Sequence, residues 1–301
     1  MNYLRYQHIE KLGTSEVEGI LQGEVSLFYK IDGTNSLIYL KDDGTLGFGS
    51  RNRELSLDKD NQNFMNSILN DSDLVERFNT FFKEYPNCIV YGEWLIPVTI
   101  KRYKSDAWRK FYIFDILDTE EHRYLSYDEY SKILDSYGLS YIPRIAKLNN
   151  PTADEIKSYL DKTGDFLIAN GLGEGIVIKN YDYKNRYGRR TWAKVLTEDF
   201  LNSKSRVRKE NHTNSQENAI EHKIILSYLT PEHIQKEYSK LVERYNGEWS
   251  SKYFYELLNR VYDEFLKDNF ELFIKKLRFP TINFRILKQL CDQEVKRTLN
   301  Y

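Results

Sequence analysis

The hydrophobic positions of the chain change their spacing near residue 220. Between about residues 20 and 200, short apolar runs alternate with turn residues, as they do in β-strands joined by tight turns. From about residue 220 onward, apolar residues recur every three or four positions, as along one face of an α-helix. The pattern therefore predicts a mixed α and β region followed by an all-helical one.

One predicted strand, "VSLFYKID", combines this pattern with candidate chemistry. Successive side chains of a strand point to opposite faces of the sheet. The apolar residues from Val25 to Ile31 at odd positions should therefore face one way. Lys30 and Asp32 should share the other face.

The other strand-like segments of the first region are short and rich in β-branched or aromatic residues. Asp43-Gly44, between "SLIYL" and "GFGSRN", is a strong hairpin signal. Three further strands are predicted in "CIVYGEWLIP", "KFYIFDIL" and "GIVIKN", and helices are predicted near residues 60–84, 127–137 and 152–161. The fold class predicted for this region is α+β, with antiparallel sheets and flanking helices.

The two regions are separated by a polar segment. The sequence "NSKSRVRKENHTNSQENA" has few apolar residues, as expected of a linker. We predict a first domain over residues 1–205, a linker over 206–219 and a helical domain over 220–301. The first tail helix should begin with Thr230 as its N-cap and Pro231 in its first turn.

Composition limits the classes of partner. The chain of 301 residues has 44 Lys and Arg against 45 Asp and Glu, so a polyanion must bind a local basic patch rather than the protein's overall charge. The segment "YKNRYGRRTWAKVL" supplies such a patch, with aromatic residues between its cations. Its alternative interpretation is a solvated hairpin.

Location and redox state are also indicated by the sequence. No apolar run is long enough to span a bilayer, and Cys88 and Cys291 lack the spacing of a zinc site or a disulfide framework. We expect a cytoplasmic protein, in the host cytoplasm if a phage encodes it, without a membrane or an obligate protein partner.

Lys30 has two interpretations. It is either a solvated charge at the end of a strand or a nucleophile that attacks a nucleotide phosphorus. A free lysine has a pKa of about 10.4 and is mostly protonated at neutral pH, so a nucleophile needs neighbouring cations or a metal. The rest of the chain must supply those groups.

Candidate groups follow in order along the chain. Arg51 comes after a Gly-rich turn and can bind phosphate or ribose oxygens. Glu93 is an isolated carboxylate in an apolar strand, which is costly unless it binds something. Phe111 begins a strand, where it could stack on a base or fill the core.

A second group of candidates surrounds the last predicted strand of this region. Glu174 lies in the Gly-rich turn of "GLGEGIVIKN", and Lys179 ends the strand that follows. Five positions separate them, so a regular strand would send them to opposite faces unless Glu174 sits on the turn or behind a bulge. Lys194 follows in "TWAKVL".

The ordered motifs K-x-D-G, S-R-N, Y-G-E, F-x-x-F-D, E-G-I-V-I-K and W-A-K resemble those of the covalent nucleotidyltransferase superfamily of ligases and capping enzymes. The resemblance covers residues 1 to about 200 and implies an adenylation domain of the nucleotidyltransferase (ATP-grasp-like) type. "FYKIDGTN" followed by a helical tail is similar to the ATP-dependent RNA ligases of phages that seal nicks. DNA ligases and capping enzymes of the superfamily carry an OB-fold barrel after W-A-K instead.

The resemblance implies a role for each candidate residue. Lys30 would carry AMP covalently, Asp32 would support it, and Asn35 would belong to the same loop. The remaining candidates would bind the nucleotide: Arg51 and Glu93 the sugar and nearby oxygens, Phe111 the adenine, Glu174 the divalent metal (Mg²⁺ or Mn²⁺), and Lys179 and Lys194 the phosphates.

The implied reaction has three steps and an RNA substrate. Lys30 attacks ATP, AMP moves to a 5′-phosphate end, and a 3′-hydroxyl then displaces AMP. The substrate would be RNA with 3′-OH and 5′-phosphate ends, including a nicked duplex or an RNA/DNA hybrid, in RNA repair. The alternatives are a DNA ligase, a capping guanylyltransferase, or a nucleic-acid-binding protein on an inactive version of the fold.

Two positions depart from the pattern of the relatives. Many of them have a lysine where this chain has Trp192, which predicts a missing phosphate contact or its replacement by Arg189 or Arg190. The nick-sealing relatives often have another residue at the position of Asp32.

Overall fold

The structure of the chain, a computed structural model, describes residues 2–96, 103–197, 220–245 and 247–301. The predicted linker at 206–219 lies outside the described residues.

Within these ranges, strands and α-helices are numbered in chain order. The strands are β1 Glu10–Lys11, β2 Glu24–Lys30, β3 Thr34–Leu40, β4 Leu46–Ser50, β5 Cys88–Leu95, β6 Lys110–Asp118, β7 Arg123–Tyr124, β8 Arg144–Asn149, β9 Gly175–Lys179 and β10 Ala193–Leu196. The helices are α1 Phe64–Leu69, α2 Ser72–Glu84, α3 Tyr127–Ser136, α4 Ala153–Ser158, α5 Ile220–Tyr228, α6 Pro231–Arg244, α7 Phe254–Lys276 and α8 Phe284–Leu299.

The strands form two five-stranded sheets. One has the order β1-β10-β9-β2-β8 and the other the order β4-β3-β5-β6-β7. All neighbours are antiparallel except β1 and β10, which run parallel. The predicted α+β class with antiparallel sheets is confirmed, with one parallel pair that the sequence pattern did not indicate.

The predicted alternation along β2 holds from Val25 to Phe28 but fails beyond it, because Tyr29 and Ile31 pack in the same cluster as Phe28. Val25 and Leu27 pack on the outer face of the first sheet against Ile156 of α4. Phe28, one position on, packs instead into the aromatic layer that contains residues of both sheets. The strand ends at Lys30, so Asp32 lies in the turn that follows.

The second sheet has a core on its other face. Phe64 of α1, Phe78 of α2 and Leu134 of α3 pack there against Ile113 and Phe111 of β6. The hairpin predicted at Asp43-Gly44 joins β3 and β4. The helices cover one face of this sheet and leave the other to the aromatic layer.

The tail after residue 220 is helical, as predicted. Thr230 caps α6 because its side chain accepts a hydrogen bond from the His233 amide at 3.1 Å, and Pro231 occupies the first helical position. The capped helix is the second of the tail, because α5 precedes it. Ile234 and Leu241 of α6 are buried with residues of the neighbouring helices. Every helix among the described residues is too short or too polar to span a lipid bilayer.

A buried ion pair connects the two sheets. Lys179 of β9 is 2% exposed, and its Nζ lies 2.7 Å from Oδ1 of Asp115 on β6, which is fully buried. The Tyr6 hydroxyl and the Trp192 indole N–H donate to the other oxygen of Asp115, at 2.5 and 3.1 Å. Burial lowers the pKa of Lys179, and Asp115 opposes that shift. Both oxygens of this carboxylate are thus engaged by donors.

Removal of the Asp115 charge should destabilise the fold strongly. Asp115→Asn leaves the Lys179 ammonium buried without a counter-ion, which typically costs about 3–5 kcal/mol of the free energy of unfolding. Asp128→Asn is the matched control because Asp128 pairs with Arg144 at the surface, where such pairs contribute about 0–1 kcal/mol. Urea unfolding at pH 7 measures both.

A double variant tests whether the loss of stability comes from the unpaired charge of Lys179. Asp115→Asn with Lys179→Met removes both charges and should be more stable than Asp115→Asn alone. Equal stability of Asp115→Asn and the control would contradict the bridging role of this pair.

Candidate active site

Lys30 is directly paired with Glu174. Its Nζ donates to Glu174 Oε2 at 2.7 Å, and the two side chains are 19% and 13% exposed. The contact follows from the register, because Lys30 pairs with Gly175 in the β2–β9 ladder and Glu174 lies on the bend just before β9. Glu174 therefore occupies the turn position, one of the two arrangements that the sequence left open.

A lysine from the helical tail completes this contact. Lys236 of α6 lies 2.6 Å from Glu174 Oε1 and 2.8 Å from Asp32 Oδ1. We call Lys30, Asp32, Glu174 and Lys236 the four-residue charge cluster. Sequence reasoning missed Lys236, because a lysine in a helical tail is typical of a solvated charge.

The charges of the cluster support one another. Burial disfavours the charged form of Glu174, but Lys236 and Lys30 outweigh it and lower the pKa of this carboxyl to about 2. Burial also disfavours the charged form of Lys236, and Asp32 and Glu174 outweigh it, so that the pKa of Lys236 is raised well above its usual value. Glu174 and Lys236 therefore both stay ionised throughout the physiological pH range.

Glu93 and Asn35 lie side by side at the edge of the cluster. They pair across β3 and β5, so their side chains share a face. Glu93 Oε1 accepts a hydrogen bond from the Gly33 amide at 2.9 Å. Burial raises the pKa of Glu93 to about 7, against the opposing effect of Lys30. The Asn35 Oδ1 is buried with no hydrogen-bond partner within the described part of the chain, as expected of a group that binds a ligand.

Gly33 brings the loop after β2 onto β5. A Cβ at this position would collide with the carbonyl oxygen of Trp94. A side chain would therefore push the loop away from β5 and break the hydrogen bond to Glu93. Glycine at residue 33 is required by this close approach.

A second group of polar residues lies around Lys194. Its Nζ is 3.1 Å from Asp268 of α7, and the Lys194 side chain is 10% exposed. Burial lowers the pKa of Lys194, and Asp268 opposes the shift. For Asp268, burial is outweighed by Lys194 and Lys11, so its pKa is lowered.

Arg51 joins this group through His8, a residue that the sequence did not indicate. Arg51 Nη2 lies 2.9 Å from His8 Nδ1, and His8 Nε2 lies 3.7 Å from Asp268. Burial, Lys194 and Arg51 lower the pKa of His8 to about 4. His8 is therefore neutral at pH 7, and Nδ1 accepts from Arg51, since a guanidinium has no acceptor.

Lys179 does not lie with these groups. Its ammonium donates to Asp115 and to the Phe114 carbonyl oxygen, and it faces the rings of Phe28 and Trp192. The structure therefore gives Lys179 a role in the core instead of the predicted phosphate contact. Its side chain lies between the sheets because it leaves β9 on the face that packs against β6.

Phe111 also lies elsewhere than expected. It is 6% exposed in the core cluster beside Phe64, and it pairs with Trp94 on the face of the sheet opposite to Glu93. The structure thus places Phe111 away from the cluster where it was expected to stack on adenine. A register shift between Tyr91 and Gly92 adds an extra residue to β6, and Phe114 then lies in the aromatic layer near Lys179.

Trp192, where the sequence comparison predicted a missing phosphate contact, is a core residue. It is fully buried, packs against Tyr124 and Tyr181, and donates to Asp115. A lysine here would place a second ammonium beside Lys179. The exposed basic loop before it carries Tyr187, whose ring lies under Arg186 and Arg189 at 4.9 and 5.4 Å.

Glu93→Gln should stabilise the protein at high pH only. Folding raises the pKa of Glu93 from its usual value of 4.5 to about 7, so the stability that its protonated form contributes is complete below about pH 4.5 and is lost as pH rises through about 7. The glutamine side chain would keep the acceptor for Gly33 without this loss. We expect a gain of about 1–3 kcal/mol at pH 8 relative to wild type and little gain at pH 4.5.

Thermal unfolding at the two pH values measures the difference. Glu76→Gln, on the exposed face of α2, is the matched control and should show no such dependence on pH. An equal effect of Glu93→Gln at both pH values would show that folding does not raise the pKa of Glu93.

Comparisons with known proteins agree with this fold. Among solved structures, variants of RNA ligase from Naegleria gruberi are similar to it. One, in complex with ATP and manganese, has a TM-score of 0.51 at 20% identity, and one with AMP and manganese has 0.51 at 21%. Both alignments cover 67% of this chain and 58% of the other, so this chain spans less than two thirds of those ligases.

At the level of sequence, no curated protein gives a significant match. The pattern of the RNA ligase family matches residues 23–196, which is more than half of the chain and includes Lys30, Glu93, Glu174 and Lys194. The chain therefore belongs to the RNA ligase family.

Proposed function

We propose that this protein is an ATP-dependent RNA ligase that works through a covalent lysyl-AMP on Lys30. The observation that carries the proposal is the position of Lys30. Its amine lies against Glu174, beside Asp32 and Glu93, within the segment matched by the RNA ligase family. A solvated strand-end lysine would have no buried carboxylate partner.

In the first step the neutral amine of Lys30 attacks the α-phosphorus of ATP. A P–N bond forms, the bond between the α-phosphorus and the bridging oxygen breaks, and pyrophosphate leaves with that electron pair. The ammonium must first lose a proton. Glu93 lies near Lys30 and, with a pKa of about 7, can exist in both protonation states at neutral pH, which suits a group that accepts it.

The other residues would bind the nucleotide. Glu93 and Asn35 offer oxygens to the ribose, and the buried Asn35 Oδ1 supports this role. Lys194 and Arg51 supply cations for phosphate oxygens. Phe114, rather than Phe111, is the aromatic residue of β6 that lies in the layer between the two sheets, and it could contact the base.

ATP and a divalent cation are the proposed cofactors, and the ATP and manganese in the complexes of the Naegleria gruberi ligase support them. No group of three or more His, Cys, Asp or Glu in the described ranges could hold a metal by itself. Glu174 and Asp32 are carboxylates suited to Mg²⁺ or Mn²⁺ when phosphate oxygens complete the coordination. When bound, the cation would neutralise charge that develops on the phosphates.

The second and third steps act on RNA. AMP passes from Lys30 to a 5′-phosphate, and a 3′-hydroxyl then attacks that phosphate and releases AMP. Membership in the RNA ligase family supports RNA as the substrate. The proposed ends are 3′-OH and 5′-phosphate, in a nick or a hybrid, and the proposed role is RNA repair of the phage nick-sealing type. The exposed loop with Arg186 and Arg189 could bind the RNA backbone.

The helical tail favours an RNA ligase over the alternatives. Residues 220–245 and 247–301 contain helices and no strand, whereas DNA ligases and capping enzymes of the superfamily carry a barrel there. We propose an adenylation domain over residues 1–205 and a helical domain over 220–301. Two buried free cysteines, Cys88 and Cys291, support a reducing cytoplasm.

The covalent intermediate is tested by labelling. Incubation with α-labelled ATP and magnesium should attach acid-stable label to the wild type. Lys30→Ala should lose it completely, because the variant lacks the amine that forms the P–N bond. Lys41→Ala removes a lysine that pairs with Glu54 at the surface and should label as wild type does. Equal labelling of Lys30→Ala and wild type would refute the role of Lys30.

The substrate class is tested with nicked duplexes. RNA, DNA and hybrid nicks with a 5′-phosphate are offered to the labelled protein, and RNA-containing nicks should be sealed fastest. Preferential sealing of DNA, or labelling by GTP instead of ATP, would favour the alternative enzymes.

A further inference from the structure

The helical tail contacts the candidate active site through two charged residues. Lys236 of α6 lies on the carboxylates of Glu174 and Asp32, and Asp268 of α7 lies on Lys194. All three partners come from the region of the chain before residue 198. The tail is therefore joined to the residues proposed to transfer AMP.

Lys236 is held in place from both sides. One face of α6 is anchored by Ile234 and Leu241 in the helical core. The adjacent Glu237 is 2% exposed and accepts from Arg260 of α7 at 2.9 Å, which fixes α6 to α7. The side chain of Lys236 leaves on the neighbouring face and reaches the site.

Lys30 and Lys236 bind opposite oxygens of one carboxylate. Lys30 donates to Oε2 of Glu174 at 2.7 Å, and Lys236 donates to Oε1 at 2.6 Å. A single carboxylate therefore bridges the two ammonium groups, and a phosphate bonded to Lys30 Nζ would lie beside the same carboxylate as the Lys236 ammonium. An RNA 5′-phosphate that accepts AMP must come to the same place.

Lys236 has a donor left for such a phosphate. An ammonium has three N–H donors. Asp32 and Glu174 occupy two of them, and the third has no partner among the residues that the structure describes. Lys236 can thus bind a phosphate oxygen without releasing either carboxylate.

Formation of the lysyl-AMP intermediate changes the charges around this contact. When Lys30 becomes a phosphoramidate it loses its positive charge and acquires a negatively charged phosphate. Of the four residues in the charge cluster, only Lys236 would then be a cation beside two carboxylates. Without it, the phosphate would face Asp32 and Glu174 with no cation of the cluster between them.

We propose that Lys236 is a phosphate-binding catalytic residue, supplied by the helical tail, that contacts the phosphate transferred through Lys30. The proposal rests on the function proposed above and adds a role for the tail in nucleotide transfer. The tail then acts in the first chemical step as well as in any contact with RNA.

Two measurements test Lys236. The first is the rate of labelling by α-labelled ATP with magnesium. The second is the equilibrium binding of ATP without divalent cation, in which no transfer is measured. Lys236→Ala should lower the labelling rate and the affinity for ATP by about tenfold or more each, because one charge-assisted hydrogen bond is lost. Lys236→Arg keeps a cation and should recover part of each.

Lys267→Ala is the matched control, because Lys267 is a tail lysine whose pair with Glu264 is exposed. It should behave as wild type in both measurements. A general loosening of the tail is excluded if Lys236→Ala and wild type unfold at the same temperature within a few degrees. If Lys236→Ala is less stable, recovery of ATP binding in Lys236→Arg decides in favour of the phosphate contact.

Other outcomes overturn the proposal. Unchanged labelling and ATP binding in Lys236→Ala would show that the lysine does not contact phosphate. Faster labelling, or a lower magnesium requirement, would show instead that Lys236 blocks the carboxylates. If the wild type binds ATP but acquires no label, the proposed function fails, while loss of ATP binding in Lys236→Ala would still support the contact.

Discussion

The buried pair of Asp115 and Lys179 connects two sheets whose shared layer is otherwise built mainly from apolar and aromatic side chains. Its charges are enclosed, so each depends on the other and on the donors from Tyr6 and Trp192. Because Lys179 belongs to β9 and Asp115 to β6, the pair fixes the position of β9 against the second sheet. Glu174 lies directly before β9, and β5 pairs with β6. The pair therefore also sets the distance between Glu174 and β5.

The candidate site uses the ends of strands from both sheets. β2 brings Lys30, the bend before β9 brings Glu174, and β5 brings Glu93. The carboxylate of Glu174 is buried, and one lysine of the first region and one of the tail balance its charge. This balance explains how the buried Glu174 stays ionised. For Glu93, burial outweighs the effect of Lys30, so the pKa of Glu93 is raised.

The helical tail is therefore part of the electrostatics of the site. Lys236 and Asp268 each meet an opposite charge on the first region, with ion-pair distances of 2.6 to 3.1 Å. Lys11 adds a hydrogen bond to Asn269 at 2.8 Å, in a contact that is buried on both sides. Polar contacts of this kind fix orientation more than they add stability, which suits a tail that must present particular groups to the site.

The sequence by itself determined the elements and the short-range chemistry. Period-two and helical patterns located the strand that ends at Lys30 and the helix capped by Thr230, because these patterns depend only on neighbours in the chain. The Gly-rich turn placed Glu174 outside a regular strand for the same reason. Motif order then indicated the family.

Only the tertiary structure decided which side chains meet. Phe111 and Lys179 are residue types that occur in nucleotide sites, but sheet packing buries Phe111 in the core and pairs Lys179 with Asp115. The face on which a strand residue lies depends on the neighbouring strands and, in β6, on a bulge. Lys236 and His8 carry no local signal, because their contacts with Glu174 and Arg51 join positions 62 and 43 residues apart in the chain.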